Sequence, residues 1–132
     1  MASVWHTFVM AGWTAYVCLL LGIIGIPFSL LAITLTIARV RAARLVAILV
    51  LCLGGLAPAF GAFGMYRGRA IVDDVLLSPA IEPSNKAKIR QQGYYEAQQA
   101  LNVGLVCGAL PLLLGAVSLA LTFAIPPRKR EG

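Results

Sequence analysis

The side chain in this sequence best placed to do chemistry is a single acid, Glu96, in the stretch Gly93-Tyr-Tyr-Glu-Ala-Gln-Gln-Ala-Leu-Asn-Val-Gly-Leu, which runs without another charge into a long apolar segment. A carboxylate held in or beside hydrocarbon costs several kcal/mol unless protein or water surrounds it, so such groups mark ion or proton paths. The competing reading is an interfacial acid at a helix N-terminus, where the helix dipole favours negative charge. The sequence leaves both open. Asp73-Asp74 invites an acid/base or metal role, but adjacent helical carboxylates diverge by about 100°. No His or third acid lies near them, and a solvated polar face is expected. His6 stands alone beside Trp5 near the N-terminus and reads as an interfacial residue. Cys18, Cys52 and Cys107 fall one to each apolar run and read as small packing residues. There is no Gly-rich phosphate loop, no metal-ligand spacing and no nucleophile with a companion base. No catalytic residue, metal or cofactor is therefore expected.

The elements that must position Glu96 follow from hydropathy. Of 132 residues, 60% are hydrophobic and only 12% charged, far from the balance of a water-soluble domain. The apolar residues gather in three runs, 8–38, 45–66 and 100–125, each longer than the roughly 18 residues that make a transmembrane helix. The expected fold is an all-α membrane protein, one domain with three transmembrane helices at about 6–39, 43–66 and 94–125 joined by an outer loop at 67–93. The first run has no Lys or Arg before Arg39, unlike a signal peptide, and is expected to be retained. It is long enough for Gly22, Gly25 and Pro27 to kink it.

The charge of +6 is placed where it orients helices, not where it would hold nucleic acid. Arg39, Arg41 and Arg44 sit between the first two runs, and Arg128, Lys129 and Arg130 follow the third. In the segment 67–96 five Lys/Arg are nearly balanced by four acids. Basic residues stay inside, so the N-terminus is expected outside and the C-terminus inside. The outer loop is expected to hold a short amphipathic helix at 70–77 on the membrane surface. Ser84 is the expected cap of a further helix that meets the last span at Gly93.

Small residues mark where helices should touch, and the faces they make on the second and third helices are also where copies of the chain are expected to assemble into a homo-oligomer. Gly54, Ala57 and Gly61 on the second helix, and Ala100, Gly104 and Gly108 on the third, recur at spacings of three and four, which lets helix backbones approach closely in lipid. Ser118 and Thr122 share a row further along the third helix.

Two stretches resemble the MotA/TolQ/ExbB family of proton-channel subunits, whose three membrane helices have the topology read above. Gly93-x-x-Glu96-Ala97, followed by Ala100 and Gly104-Leu105, is similar to that family's Gly-Ile-x-Glu-Ala opening of the last helix with its downstream Gly-Leu. Gly55-Leu-Ala-Pro-Ala-Phe-Gly61 loosely resembles the family's Gly-Leu-Leu-Gly-Thr-Val-x-Gly turn. The likeness spans about Leu53 to Pro111. It implies a homo-oligomer in a bacterial inner membrane, set around a single-span partner with an intramembrane Asp, and ion-path candidates Glu96, Asn102, Ser118 and Thr122. The chain departs from the family at its two pore threonines, which fall on Pro58 and Leu101, so conduction is expected to be weak or absent. The large cytoplasmic domain of the family is replaced by the short turn around Arg41. A structural scaffold with no transport is the alternative.

Overall fold

The computed structural model describes residues 3, 5, 6, 9 and 12–126. The basic cluster at 128–130 and the expected start of the first span at Phe8 lie outside the described residues. Among the described residues three long helices form an antiparallel bundle: α1 (Trp13–Ile37), α2 (Ala43–Leu76) and α3 (Pro83–Ala124). Each is long and apolar enough to cross a membrane. At about 1.5 Å per residue, the 34 residues of α2 and 42 of α3 run roughly 51 and 63 Å, well beyond a hydrocarbon core of about 30 Å.

Both helices therefore continue past their apolar runs, and this changes the expected connection. Residues 67–93 do not form a loop with a separate surface helix. Residues 70–76 are the last turns of α2, and α3 begins at Pro83. Between them is a tight turn closed by Leu77 N–H to Asp74 O (3.2 Å) and Ser78 N–H to Val75 O (3.1 Å). Ser84 is not the cap: Glu82, in an extended conformation, precedes Pro83 at the first helical position, where a missing N–H is no loss. Nor is Gly93 a break. A Cβ there would lie 2.5 Å from Val72 Cγ2, so the glycine lets α2 and α3 stay in contact along the extension.

The bundle is inverted relative to a water-soluble protein. Its buried residues are small: Ala15, Cys18, Ala32, Ala47, Ala57 and Ala100 are almost fully covered, and Val50 is the largest side chain wholly inside. Leu20, Ile23, Leu45, Val106 and Leu113 point outward, as lipid allows. The small stripe does what its spacing implies, and does it within one chain. A Cβ on Gly104 would lie 2.6 Å from Ala57 O and 2.9 Å from Gly61 Cα; one on Gly61 would lie 2.7 Å from Ala100 O; one on Gly108 would lie 2.6 Å from Gly54 O.

Prolines contribute to these contacts. Pro58 has no N–H to give the carbonyl of Gly54 four residues back, and Gly108 packs on that freed oxygen. Pro111 likewise frees the carbonyl of Cys107, and a Cβ on Gly22 of α1 would lie 3.1 Å from it. In each case the neighbouring helix places a glycine, with no Cβ to clash, beside the oxygen that the proline leaves without its usual donor. Gly22 and Gly25 thus serve as contact points for Cys107 and Pro111, and α1 continues unbroken through Pro27. Two hydroxyls inside the bundle turn back on their own helix: Ser29 Oγ donates to Gly25 O (2.6 Å) and Thr36 Oγ1 to Ala32 O (2.8 Å). This meets the requirement that polar groups in hydrocarbon find partners.

Gly104→Ala should destabilise the bundle by about 1–3 kcal/mol through overpacking. Gly55→Ala, with nothing within 4 Å of the added Cβ, should be neutral or stabilising by up to about 1 kcal/mol. Reversible unfolding in detergent, followed by circular dichroism, checks both.

Candidate functional site

Where α2 and α3 leave their apolar runs, the seam between them changes from glycine to charge. Arg69 and Asp73 stand one turn apart on α2; Arg90, Tyr94 and Gln98 follow at the same spacing on α3. They interlock. Arg69 Nη2 donates to Gln98 Oε1 at 2.9 Å, and its guanidinium lies 5.3 Å from the Tyr94 ring centroid. The Tyr94 hydroxyl donates to the Asp73 carboxylate, 2.8 Å from Oδ1 and 2.9 Å from Oδ2. Arg90 closes the ladder with an ion pair to Asp73 at 3.5 Å. The hydrogen bond to Asp73 is the main reason the Tyr94 phenol is pushed above its usual range; partial burial and the Asp73 charge add to it, and Arg90 and Arg69 oppose it. Arg69 Nε is buried without a partner.

Glu96 sits beside this ladder. It is half-buried and accepts a hydrogen bond from Gln92 Nε2 at 3.1 Å. It lines a cavity of about 180 Å³ together with Gly64, Gly68, Gly93 and Ala97. The glycines bring the helices close around that space: a Cβ on Gly64 would lie 2.7 Å from Thr14 Oγ1 of α1, and one on Gly68 would lie 2.9 Å from Ala97 Cβ.

The other ion-path candidates do not join it. Asn102 is exposed on the outward face of α3, its amide donating to Gln99 Oε1 at 3.4 Å. Ser118 and Thr122 are buried within the bundle, about 33 Å along α3 from Glu96 for Ser118 at the usual helical rise. Thr122 Oγ1 donates to Leu119 O at 2.7 Å, and Ser118 Oγ has no partner. Within one copy, then, the four residues occupy three separate surroundings. Asp73, read from the sequence as part of a solvated face, is tied to Tyr94 and Arg90, while Asp74 is exposed. Spacing could have revealed the ladder: Arg69/Asp73 and Arg90/Tyr94/Gln98 are matched four-residue rows once both helices are extended through the segment 67–93. His6 is exposed, and Cys18 Sγ donates to Ala57 O at 3.3 Å.

Comparison with known protein families, curated proteins and solved structures finds no match.

An ultraviolet titration should show one tyrosine that ionises later than its ordinary range, and Asp73→Asn should bring it back down. Because the folded-state value is raised, the stabilisation from this hydrogen bond is present below the ordinary phenol range and is lost as pH rises through the Tyr94 transition.

Proposed function

We propose that the chain is a non-enzymatic subunit of a bacterial inner-membrane complex of the MotA/TolQ/ExbB kind, working as a homo-oligomer with a single-span partner. The observation that carries this reading is the surroundings of Glu96. The acid that matches the family's acidic position lines a glycine-walled groove at the end of the α2–α3 seam, the kind of place where a carboxyl can exchange protons. The charge distribution supports an outside N-terminus and an inside C-terminus.

The small-residue stripe of α2 and α3 is already used inside the chain, so contacts between copies fall to outward faces. Asn102, exposed near the edge of the apolar run, is suited to such a contact, since side-chain amides bridge helices in lipid by about 1 kcal/mol. The subunit conducts weakly or not at all, because the family's two threonine positions are Pro58 and Leu101.

A second reading, a membrane scaffold without transport, is favoured by the interior position of Ser118 and Thr122. They are packed among three helices and offer no polar track to continue from Glu96. The two readings separate in proteoliposomes. A channel subunit, reconstituted with its partner, should show proton flux that falls at least about tenfold in Glu96→Gln, the scale of removing a relay group. Flux unchanged in the variant rules out conduction through Glu96, and where flux is absent in the wild type, co-purification of a homo-oligomer with a single-span partner separates a non-conducting subunit of the complex from the scaffold. Native mass spectrometry in detergent should show a homo-oligomer; a monomer with no co-purifying single-span protein would count against the complex.

A further inference from the structure

The end of the bundle opposite the polar ladder holds a second feature that the reading above does not use. The α1–α2 turn and the end of α3 enclose a cavity of about 200 Å³, lined by Thr36, Arg39, Arg41, Ala43, Arg44 and Thr122 among others. Three exposed arginines thus line one hollow at the point where the helices reach the end of their apolar spans. Among the described residues none of the three is in an ion pair, and the described acids, Asp73, Asp74, Glu82 and Glu96, are all at the far end.

Two details show that this is more than a scatter of surface charge. Arg44, one of the lining residues, has its guanidinium 4.5 Å over the ring of Phe123 on α3, a cation–π contact that ties the α1–α2 turn to the end of α3. Arg39 is at φ 56°, the left-handed position that ends α1. Arg39 N–H bonds to Thr36 O (3.0 Å) and Val40 N–H to Leu35 O (3.1 Å), the paired bonds of a Schellman cap, a position where glycine is the low-strain choice. An arginine there is conformationally unfavourable. It also brings its charge to the cavity. The hydroxyls of Thr36 and Thr122 already donate to backbone carbonyls, which leaves the arginines as the charged donors among the lining residues.

From this geometry we infer that the cavity binds the phosphate of an anionic phospholipid head group. Guanidinium forks match phosphate oxygens in pairs, and basic pockets between membrane helices are suited to acidic head groups. The apolar side chains of Val40 and Ile125 complete the lining and suit a ligand that carries acyl chains. Orienting charge alone would need neither the strained Arg39 nor the stacked Arg44.

The test is lipid retention by native mass spectrometry of the full chain in a non-ionic detergent, titrated with phosphatidylglycerol or phosphatidylcholine. The wild type should keep one phosphatidylglycerol in preference to phosphatidylcholine. Arg41→Gln and Arg39→Gly should each weaken retention about fivefold, the effect of one basic residue near a membrane surface. Arg67→Gln, which removes the same charge at the other end, should leave it unchanged. Arg39→Gly also relieves the strained cap, so the lipid-free variant should be at least as heat-stable as the wild type, which separates lost binding from lost folding. An equal loss in Arg67→Gln, or no preference for the anionic lipid, overturns the inference. Inorganic phosphate is added in a parallel arm. If it leaves the bound lipid in place, the lipid assignment stands; if it displaces the lipid and stabilises the protein alone, the site takes a soluble phosphate and the lipid assignment falls.

Discussion

The structure depends on how closely the backbones of α2 and α3 approach. Hydrocarbon offers helices no hydrophobic reward for association, because lipid tails are as apolar as leucine. Dispersion contacts, each only about 0.1–0.2 kcal/mol per atom pair, must be gathered in number by bringing main chains together. Gly54, Gly61, Gly104 and Gly108 allow this, with carbonyl oxygens of each helix seated where the other lacks a Cβ. Bulk is displaced outward as a result, and leucine and isoleucine cover the lipid-facing surface while alanine and glycine fill the interior. Pro58 and Pro111, which would weaken a solitary helix, are tolerated because each oxygen they free meets a glycine on the adjacent helix.

Beyond the apolar runs the same two helices are held by different forces. Water competes for hydrogen bonds there, and an exposed ion pair contributes at most about 1 kcal/mol. The Arg90–Asp73 pair, with side chains 61% and 48% exposed, belongs to that weak class. The Tyr94 hydroxyl bond and the stacking of Arg69 add contacts that do not depend on charge alone. Gly93 preserves the close spacing set within the apolar section, so the extension continues the seam rather than starting a new one. Glu96 lies at the boundary between the two regimes, where glycine packing leaves room and the polar ladder begins.

The three apolar spans and the small-residue stripe were legible from the sequence because each rests on a strong local signal: long hydropathic runs, and Gly/Ala at fixed spacing. The continuation of α2 and α3 was not. Arg67, Arg69, Asp73 and Asp74 reduce the hydropathy without ending the helix, and the breaks at Pro79 and Pro83 pointed to a loop wider than the six residues between Leu76 and Pro83. Charge tells where the membrane ends, which is a different question from where the helix ends. Glu96 was recognised as a lone acid, but its groove is lined by Gly64 and Gly68 on α2, whose neighbours, Thr14 on α1 and Ala97 on α3, appear only once the three helices are packed. The partners of Asp73 were hidden for the same reason.

The use of the glycine stripe within one chain constrains any assembly. A face that seats backbone against backbone at these distances has no room for a second copy. Contacts between subunits must then come from outward surfaces, where large side chains already meet lipid and association gains come from packing and from a few side-chain hydrogen bonds. The α2–α3 hairpin would enter such an assembly as a preformed unit, packed backbone to backbone along its seam. Glu96 is half-buried and bonded to Gln92 one turn back on the same helix, so its side chain can change rotamer while the hairpin behind it stays in place.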